Sequence, residues 1–188
     1  MKLIPVLETP RLLLRPLRLD DAPRIQEFFP HYEIVKHMTS VIPWPYPDNG
    51  AVTFLSTIML PGMAQGHDLG WALTLKSAGD DLLIGSISLH GIQKAEPTRG
   101  FWIGLPWQKQ GLMTEAAEAV TTYALTPPPE GLGLDALYVN TAIDNTGSAR
   151  LKEKTGAEIV RYEDHDYVAG RLPSAIWKIS ANNWKPSR

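Results

Sequence analysis

The sequence predicts a mixed α/β domain, a mostly antiparallel sheet of about seven strands with helices on both faces. Three observations carry that expectation. Strand-like runs outnumber helical ones, and three of them follow one another across short turns, as in an antiparallel meander. One segment in the middle, Phe101 to Val120 (FWIGLPWQKQGLMTEAAEAV), reads as strand, bend and helix and leads into a further strand. That crossover joins two neighbouring strands running the same way, which opens a crevice where they diverge.

The elements follow in order. Arg11–Arg18 alternates leucine with arginine and proline and reads as a first strand. Asp20 is placed to cap a helix running to about Phe29, with Pro23 in the tolerated first turn. The run from Ile42 to Gly50 (IPWPYPDNG) carries three prolines and two aromatics and reads as an ordered loop. Asp48 or Asn49 then caps a second helix with Val52, Leu55 and Met59 at helical spacing, broken at Pro61–Gly62. The period changes to that of strands at Leu69–Lys76, Leu82–Gly91 and Arg99–Leu105.

The central helix has an apolar stripe of Met113, Ala116, Ala117, Val120, Tyr123 and Ala124, and Pro127–Pro129 ends it. Ala136–Ile143 reads as a buried strand, followed by a helix capped by Asp144 or Asn145 and closed by Gly156. Ala157–Tyr167 and Pro173–Ser180 complete the sheet, for an order β α α β β β α β α β β.

A chain of 188 residues builds one sizeable core, so residues 1–188 are expected to form a single domain. With 18 basic against 20 acidic residues the formal charge is −2, which gives no electrostatic footprint for nucleic acid or an anionic membrane. There is no cysteine, which rules out disulfides, thiolate metal sites and cysteine nucleophiles. The segment MKLIPVLETPRLLLRPLRLDD meets charges and prolines too early for a signal peptide, and no apolar run approaches a membrane span. A cytoplasmic protein, monomeric or homodimeric, is expected. The histidine and carboxylate spacings suggest no metal site, and His37 and His67 read as solvated.

The chemistry concentrates at two places. At Gln108–Thr114 a glycine turn opens a helix whose first N–H groups lack intrahelical partners, and the positive end of the helix dipole points the same way. Such a terminus takes phosphate or pyrophosphate, and Thr114 adds a hydroxyl. Neither the Walker spacing nor GxGxxG is present. At Asn140–Glu158, Asn140 closes a strand, Asn145 opens a helix and Ser148 falls in its first turn. Capping alone explains Asn145, and a ligand in the crevice explains all three.

The order of strand, Gln108-Lys-Gln-Gly111-Leu-Met113-Thr-Glu, strand, Asn145-x-x-Ser148 and Glu153-Lys-Thr-Gly156 resembles the GCN5-related N-acetyltransferase superfamily. TPRLLLRPL, the WPYP loop and WQKQGLMTEA are similar to its ribosomal-protein alanine acetyltransferase branch. The likeness runs from Glu8 to about Ile179. Gln108 and Gly111 match the signature Q/R-x-x-G-x-G/A, and Met113 departs from its last, small position.

The resemblance implies that fold and an acetyl-CoA donor. Its pyrophosphate would rest on the amides of Gln110, Gly111, Leu112, Met113 and Thr114, beside Gln108. Its pantetheine arm would lie between the strand ending at Leu105 and the strand ending near Asn140, hydrogen-bonded by Asn145. Ser148 would protonate the leaving thiolate, and a backbone N–H near Ile103 to Leu105 would polarise the carbonyl.

Many members carry a glutamate on the strand before the bend, but Thr98-Arg99-Gly100-Phe101 has none. His90, Glu163 and His165 are the candidate bases, beside a chain of waters. Trp44, Tyr46 and Trp102, with His31 and Tyr32, are expected to wall the acceptor site. The expected reaction is attack of a primary amine, a protein N-terminus or a small molecule, on the thioester. The rivals are a non-catalytic acyl-CoA sensor and a protein binding a nucleotide of the NAD type.

Overall fold

In the computed structural model, which describes residues 4–186, eight strands form one sheet in the order β1-β2-β3-β4-β5-β6-β8-β7. These strands are β1 (Leu7–Glu8), β2 (Leu12–Pro16), β3 (Leu69–Leu75), β4 (Gly85–His90), β5 (Thr98–Ile103), β6 (Ala136–Ala142), β7 (Glu158–Tyr167) and β8 (Gly170–Ser180). All neighbours pair antiparallel except β5 and β6. The strand beyond the seven expected is β1, whose two residues leave no period to read.

Helices cover both faces. On one lies α5 (Leu112–Leu125), with Leu112, Ala116, Ala117, Val120 and Ala124 packed on Leu12, Leu14, Trp71, Leu73 and Leu137. Its alanines let the helix approach the sheet closely, while the larger sheet residues fill the layer between them. The other face carries α1 (Ala22–Phe28), α2 (Tyr32–Val35), α3 (Gly50–Phe54) and α4 (Leu60–Ala64), with Ala22, Ile25, Val35, Leu55 and Met59 against Ala72 and Trp102. The alternation of Trp71, Ala72 and Leu73 between the two cores is the period of a strand buried on both sides. A last helix, α6 (Thr146–Lys154), follows β6.

The expected break at Pro61–Gly62 does not occur. A π-helical turn (Leu55–Met59) links α3 to α4, and the helical backbone continues through Pro61 to Ala64. Proline lacks the N–H that an α-helical ladder would require of it, and the wider turn just before it accommodates that loss.

A buried ion pair fixes α1 to the sheet. Arg15 on β2 donates to both carboxylate oxygens of Asp21 at 3.0 and 2.6 Å, and Asp21 also accepts the Arg18 N–H at 2.9 Å. Asp21 is 3% exposed, and its removal leaves the buried guanidinium with only Asp81, 3.6 Å from its Nε and half exposed, as a counter-charge. We expect Asp21→Ala to cost about 3–5 kcal/mol of unfolding free energy in urea titration, as for other broken buried pairs. An effect below about 1 kcal/mol, the range of exposed pairs, would show that the pair does not anchor α1.

Candidate functional site

The parallel pair β5–β6 touches at one register position only, Thr98 opposite Tyr138. Beyond it the strands separate. β5 ends at Ile103 and turns through a 3₁₀ segment, Leu105–Trp107, where Gly104 N–H donates to Ile84 O at 2.9 Å. β6 instead stays with β8 along seven paired positions as far as Ala142. The edges of β5 and β6 that face each other are thus open past Thr98, and a cleft of about 640 Å³ lies there.

The bend into α5 forms one end of the cleft. Gly111 is its N-cap at φ 78°, a left-handed geometry open to glycine, and no side chain caps the helix. Lys109 is also left-handed, at φ 59°. The bend is braced from outside. Gln108 Nε2 donates to Ile103 O at 3.1 Å, Gln110 Nε2 donates to Pro106 O at 2.9 Å, and Arg11 donates to Gln110 O at 2.8 Å.

Glu115, in the first turn of α5, receives Arg11 Nε at 2.7 Å and the hydroxyl of Thr9. Burial disfavours its charge, but these hydrogen bonds outweigh that and hold the carboxyl below its ordinary range. Two glutamine side chains are therefore spent on holding the turn, and the first-turn N–H groups are what remains for an anion.

The opposite wall comes from β6 and α6. Asn145 caps α6, its Oδ1 accepting Ser148 N–H at 3.2 Å, so the side chain performs the capping role and leaves its amide hydrogens to offer a ligand. Asn140 Oδ1 accepts from Tyr167 Oη at 3.0 Å, and Tyr167 also bonds Ser174 at 2.8 Å. Among the described residues, the buried polar atoms without a partner include Arg99 Nε, Asn140 Nδ2 and Thr141 Oγ1, all on residues lining the cleft.

The cleft gathers Trp102, Ile103, Gln108, Gly111, Leu112, Met113, Thr114, Asn140, Asn145 and Ser148. The other expected site residues are absent from that lining. Gln110 turns back onto Pro106. Leu105 lies beyond the strand, in the 3₁₀ turn, because β5 ends two residues earlier than its pattern suggests. Trp44 is 41% exposed against Tyr32, with ring centroids 5.8 Å apart. Tyr46 packs edge-on to Phe29 at 5.2 Å beneath Gly50, and burial pushes its hydroxyl up to about 12. Of the rings expected at the acceptor site, Trp44, Tyr46, Trp102, His31 and Tyr32, Trp102 alone lines the cleft, edge-on to Phe29.

The candidate bases are placed elsewhere. Glu163 sits on the exposed strand β7 and pairs with Arg161 at 3.3 Å, and His165 meets Tyr167 edge-on, with ring centroids 5.1 Å apart. His90 bonds Ser88 Oγ at 2.7 Å and lies 3.5 Å from Asp68.

His37, read as solvated, instead lines the cleft, its Nε2 3.2 Å from Asp144 Oδ1. The segment following α2 carries it there, hydrogen-bonding the β7–β8 hairpin through Lys36 O, Met38 O and Ser40 N–H. No spacing in the sequence signals that docking. Arg99 was likewise not singled out. It is 5% exposed, bonded to Thr121 and Ala117 O, and lowered to about 10 by burial.

Known proteins share this fold. The acetyltransferase (GNAT) domain model matches residues 11–158. No curated protein matches the chain significantly. Among solved structures, the ribosomal-protein-S5-alanine acetyltransferase of Vibrio fischeri superposes with a TM-score of 0.78 at 14% identity, over 97% of this chain and 100% of that one. RimL, a ribosomal L7/L12 α-N-protein acetyltransferase in complex with coenzyme A, gives 0.76 at 12%, over 95% and 98%. A spermidine N-acetyltransferase chimera of Vibrio cholerae and hSSAT gives 0.71 at 15%, over 91% and 96%.

His90 offers a pH test of the cleft's flank. Burial lowers its ionisation below 6.5, against the opposing pull of Asp68. The folded state therefore binds its proton less well than the unfolded one. The stability this contributes is present above pH 6.5 and declines as pH falls through that range. We expect His90→Gln to flatten the loss of melting temperature between pH 7 and 5; parallel curves for the two proteins would refute it.

Proposed function

We propose, from the premise that this chain belongs to the acetyltransferase (GNAT) family, that it transfers the acetyl group of acetyl-CoA to a primary amine in a ternary complex. The single observation that carries the reading is the β5–β6 splay closed at one end by the uncapped N-terminus of α5. One site then accepts a pyrophosphate and an extended arm with backbone-pairing capacity. The open edges of β5 and β6 pair with the arm as an added strand, and the first-turn N–H groups from Gly111 to Thr114 take the pyrophosphate. Lys109, on the cleft wall, adds a positive charge at that end.

The residues divide the chemistry. The backbone at Ile103 lies at the end of β5 and polarises the thioester oxygen. Asn145 orients the arm through its free amide hydrogens. Ser148 gives the leaving sulfur its proton. At the other end of the cleft, His37 and Asp144, 3.2 Å apart, form the pair placed to accept a proton from the attacking amine. They stand in for the glutamate missing from Thr98–Phe101 on β5. Trp102 and Met38 wall the acceptor side. The likeness to structures of enzymes named for ribosomal-protein N-termini and for spermidine supports an amine acceptor of either class.

Acetyl-CoA mixed with a panel of amines, peptides with N-terminal alanine or serine, spermidine and free amino acids, should release thiol and give an amine product heavier by one acetyl group. Coenzyme A binding with no turnover on any amine would favour a sensor instead. Gly111→Val, which forces a β-branched residue into a left-handed position, should weaken coenzyme A binding on the order of tenfold or more, about 1.4 kcal/mol. Unchanged affinity in a folded variant would remove the bend from the site.

A further inference from the structure

Beneath Ser148 lies a charge that the acetyl-transfer reading leaves unused. Lys152, one turn further along α6, is 0% exposed. Its Nζ donates to Ser148 Oγ at 2.6 Å and to Ser148 O at 3.2 Å. No carboxylate pairs with it among the described residues. The charge that acts on it comes from Arg99 on β5, which has the same sign, while Arg150, Glu153 and Lys154 of α6 are exposed to solvent. The remaining polar neighbour on its own turn, Thr155, is spent on the carbonyls of Leu151 and Lys152.

A lysine in this position is costly. An unpaired buried ammonium loses its hydration, and a methionine of similar length would fill the same space without that penalty. A packing role alone does not explain an amine here. Its placement does something more specific. By donating to Ser148 Oγ, Nζ occupies a lone pair of that oxygen and leaves the hydroxyl hydrogen free to point into the cleft that Ser148 lines.

We propose that Lys152 is a positioning and proton-supplying residue that acts through Ser148, forming a two-step relay to the leaving sulfur. The inference rests on the acetyl-transfer reading. In the step, the amine nitrogen bonds to the thioester carbon and the C–S bond breaks, its electron pair going to sulfur. Ser148 Oγ–H passes its proton to sulfur as Lys152 Nζ–H passes one to Ser148 Oγ. The acylated nitrogen loses its extra proton to the acceptor side of the cleft and thence to water, and water reprotonates Lys152 after the products leave. One proton enters and one departs, so the turnover balances.

Burial, reinforced by Arg99, holds the Lys152 ammonium well below its ordinary value. A lysine lowered in this way is a stronger acid than an exposed one, which suits it to give a proton to Ser148 Oγ. The same two cations favour negative charge on sulfur in a site of low dielectric.

The test compares wild type with Lys152→Met, Ser148→Ala and the double variant, using acetyl-CoA and the best acceptor of the panel. Lys152→Met should fold, with an equal or higher melting temperature, and keep the KM for acetyl-CoA within about twofold while kcat falls on the order of 100-fold. The wild-type pH profile should descend on its alkaline side as Lys152 loses its proton, and that descent should vanish in Lys152→Met. The double variant should be no slower than Ser148→Ala, because the two residues act in series.

A folded Lys152→Met with kcat within twofold of wild type, an unchanged alkaline limb, or a double variant slower by the product of the two effects would each overturn the relay. In all three the acetyl-transfer reading would stand. Absence of turnover by wild type with every amine would instead defeat that reading, and the relay with it.

Discussion

The separation of β5 from β6 is the constraint on which the site depends. A parallel pair that stayed in register would satisfy its own N–H and C=O groups and leave nothing for a ligand. Here the two strands share one register position and then follow different partners. β5 is drawn aside by β4 along six positions and by the turn at Gly104, while β6 is held by β8 along seven. The crossover helix between them must begin where β5 has turned away, so the N-terminus of α5 meets the mouth of the gap. A phosphate site and an open strand edge thus arise together from one topological feature.

The braces around the bend serve that constraint. Gln108, at the cleft wall, and Gln110, turned away from it, each hold a backbone carbonyl, and Arg11 bridges Gln110 O and Glu115. Because Thr9 and Arg11 belong to the edge of the sheet far from β5, the first turn of α5 is fixed from the opposite side of its axis. The N–H groups gain a rigid aim without losing any of their number. Preorganisation of donors in this way costs nothing at the moment of binding.

The cleft is electrically uneven. Arg99 is buried in its lining and Lys152 is buried beneath Ser148, while the exposed Glu33 and Asp144 line it beside Lys36 and His37. The buried cations are unfavourable for folding, and the two apolar cores on either face of the sheet carry that cost. Stability is given up at the site where charge is useful.

Much of the backbone framework is legible in the sequence. The Gly111 turn, the alanine stripe of α5, the Asn145 cap and the Gly156 stop each rest on rules spanning a few residues, and the structure has them at those positions. The alternation of the strands is local too, which is why seven of the eight were visible.

What the chain order alone left open is everything decided by distant contact. His37 becomes a cleft residue because the segment after α2 pairs with the β7–β8 hairpin, some 130 positions later. Tyr46 packs inward under Gly50 and Trp44 stays against Tyr32, although both share one proline-rich loop. Lys152 looks like any charged residue on a helix until the fold closes over it.

Local backbone chemistry wrote the helix starts, turns and strand periods into the sequence, since each depends on neighbours within a few bonds. Which side chains are buried, which face one another and which charge is left without a counter-charge depend on how the strands diverge. Only the assembled tertiary structure decides that.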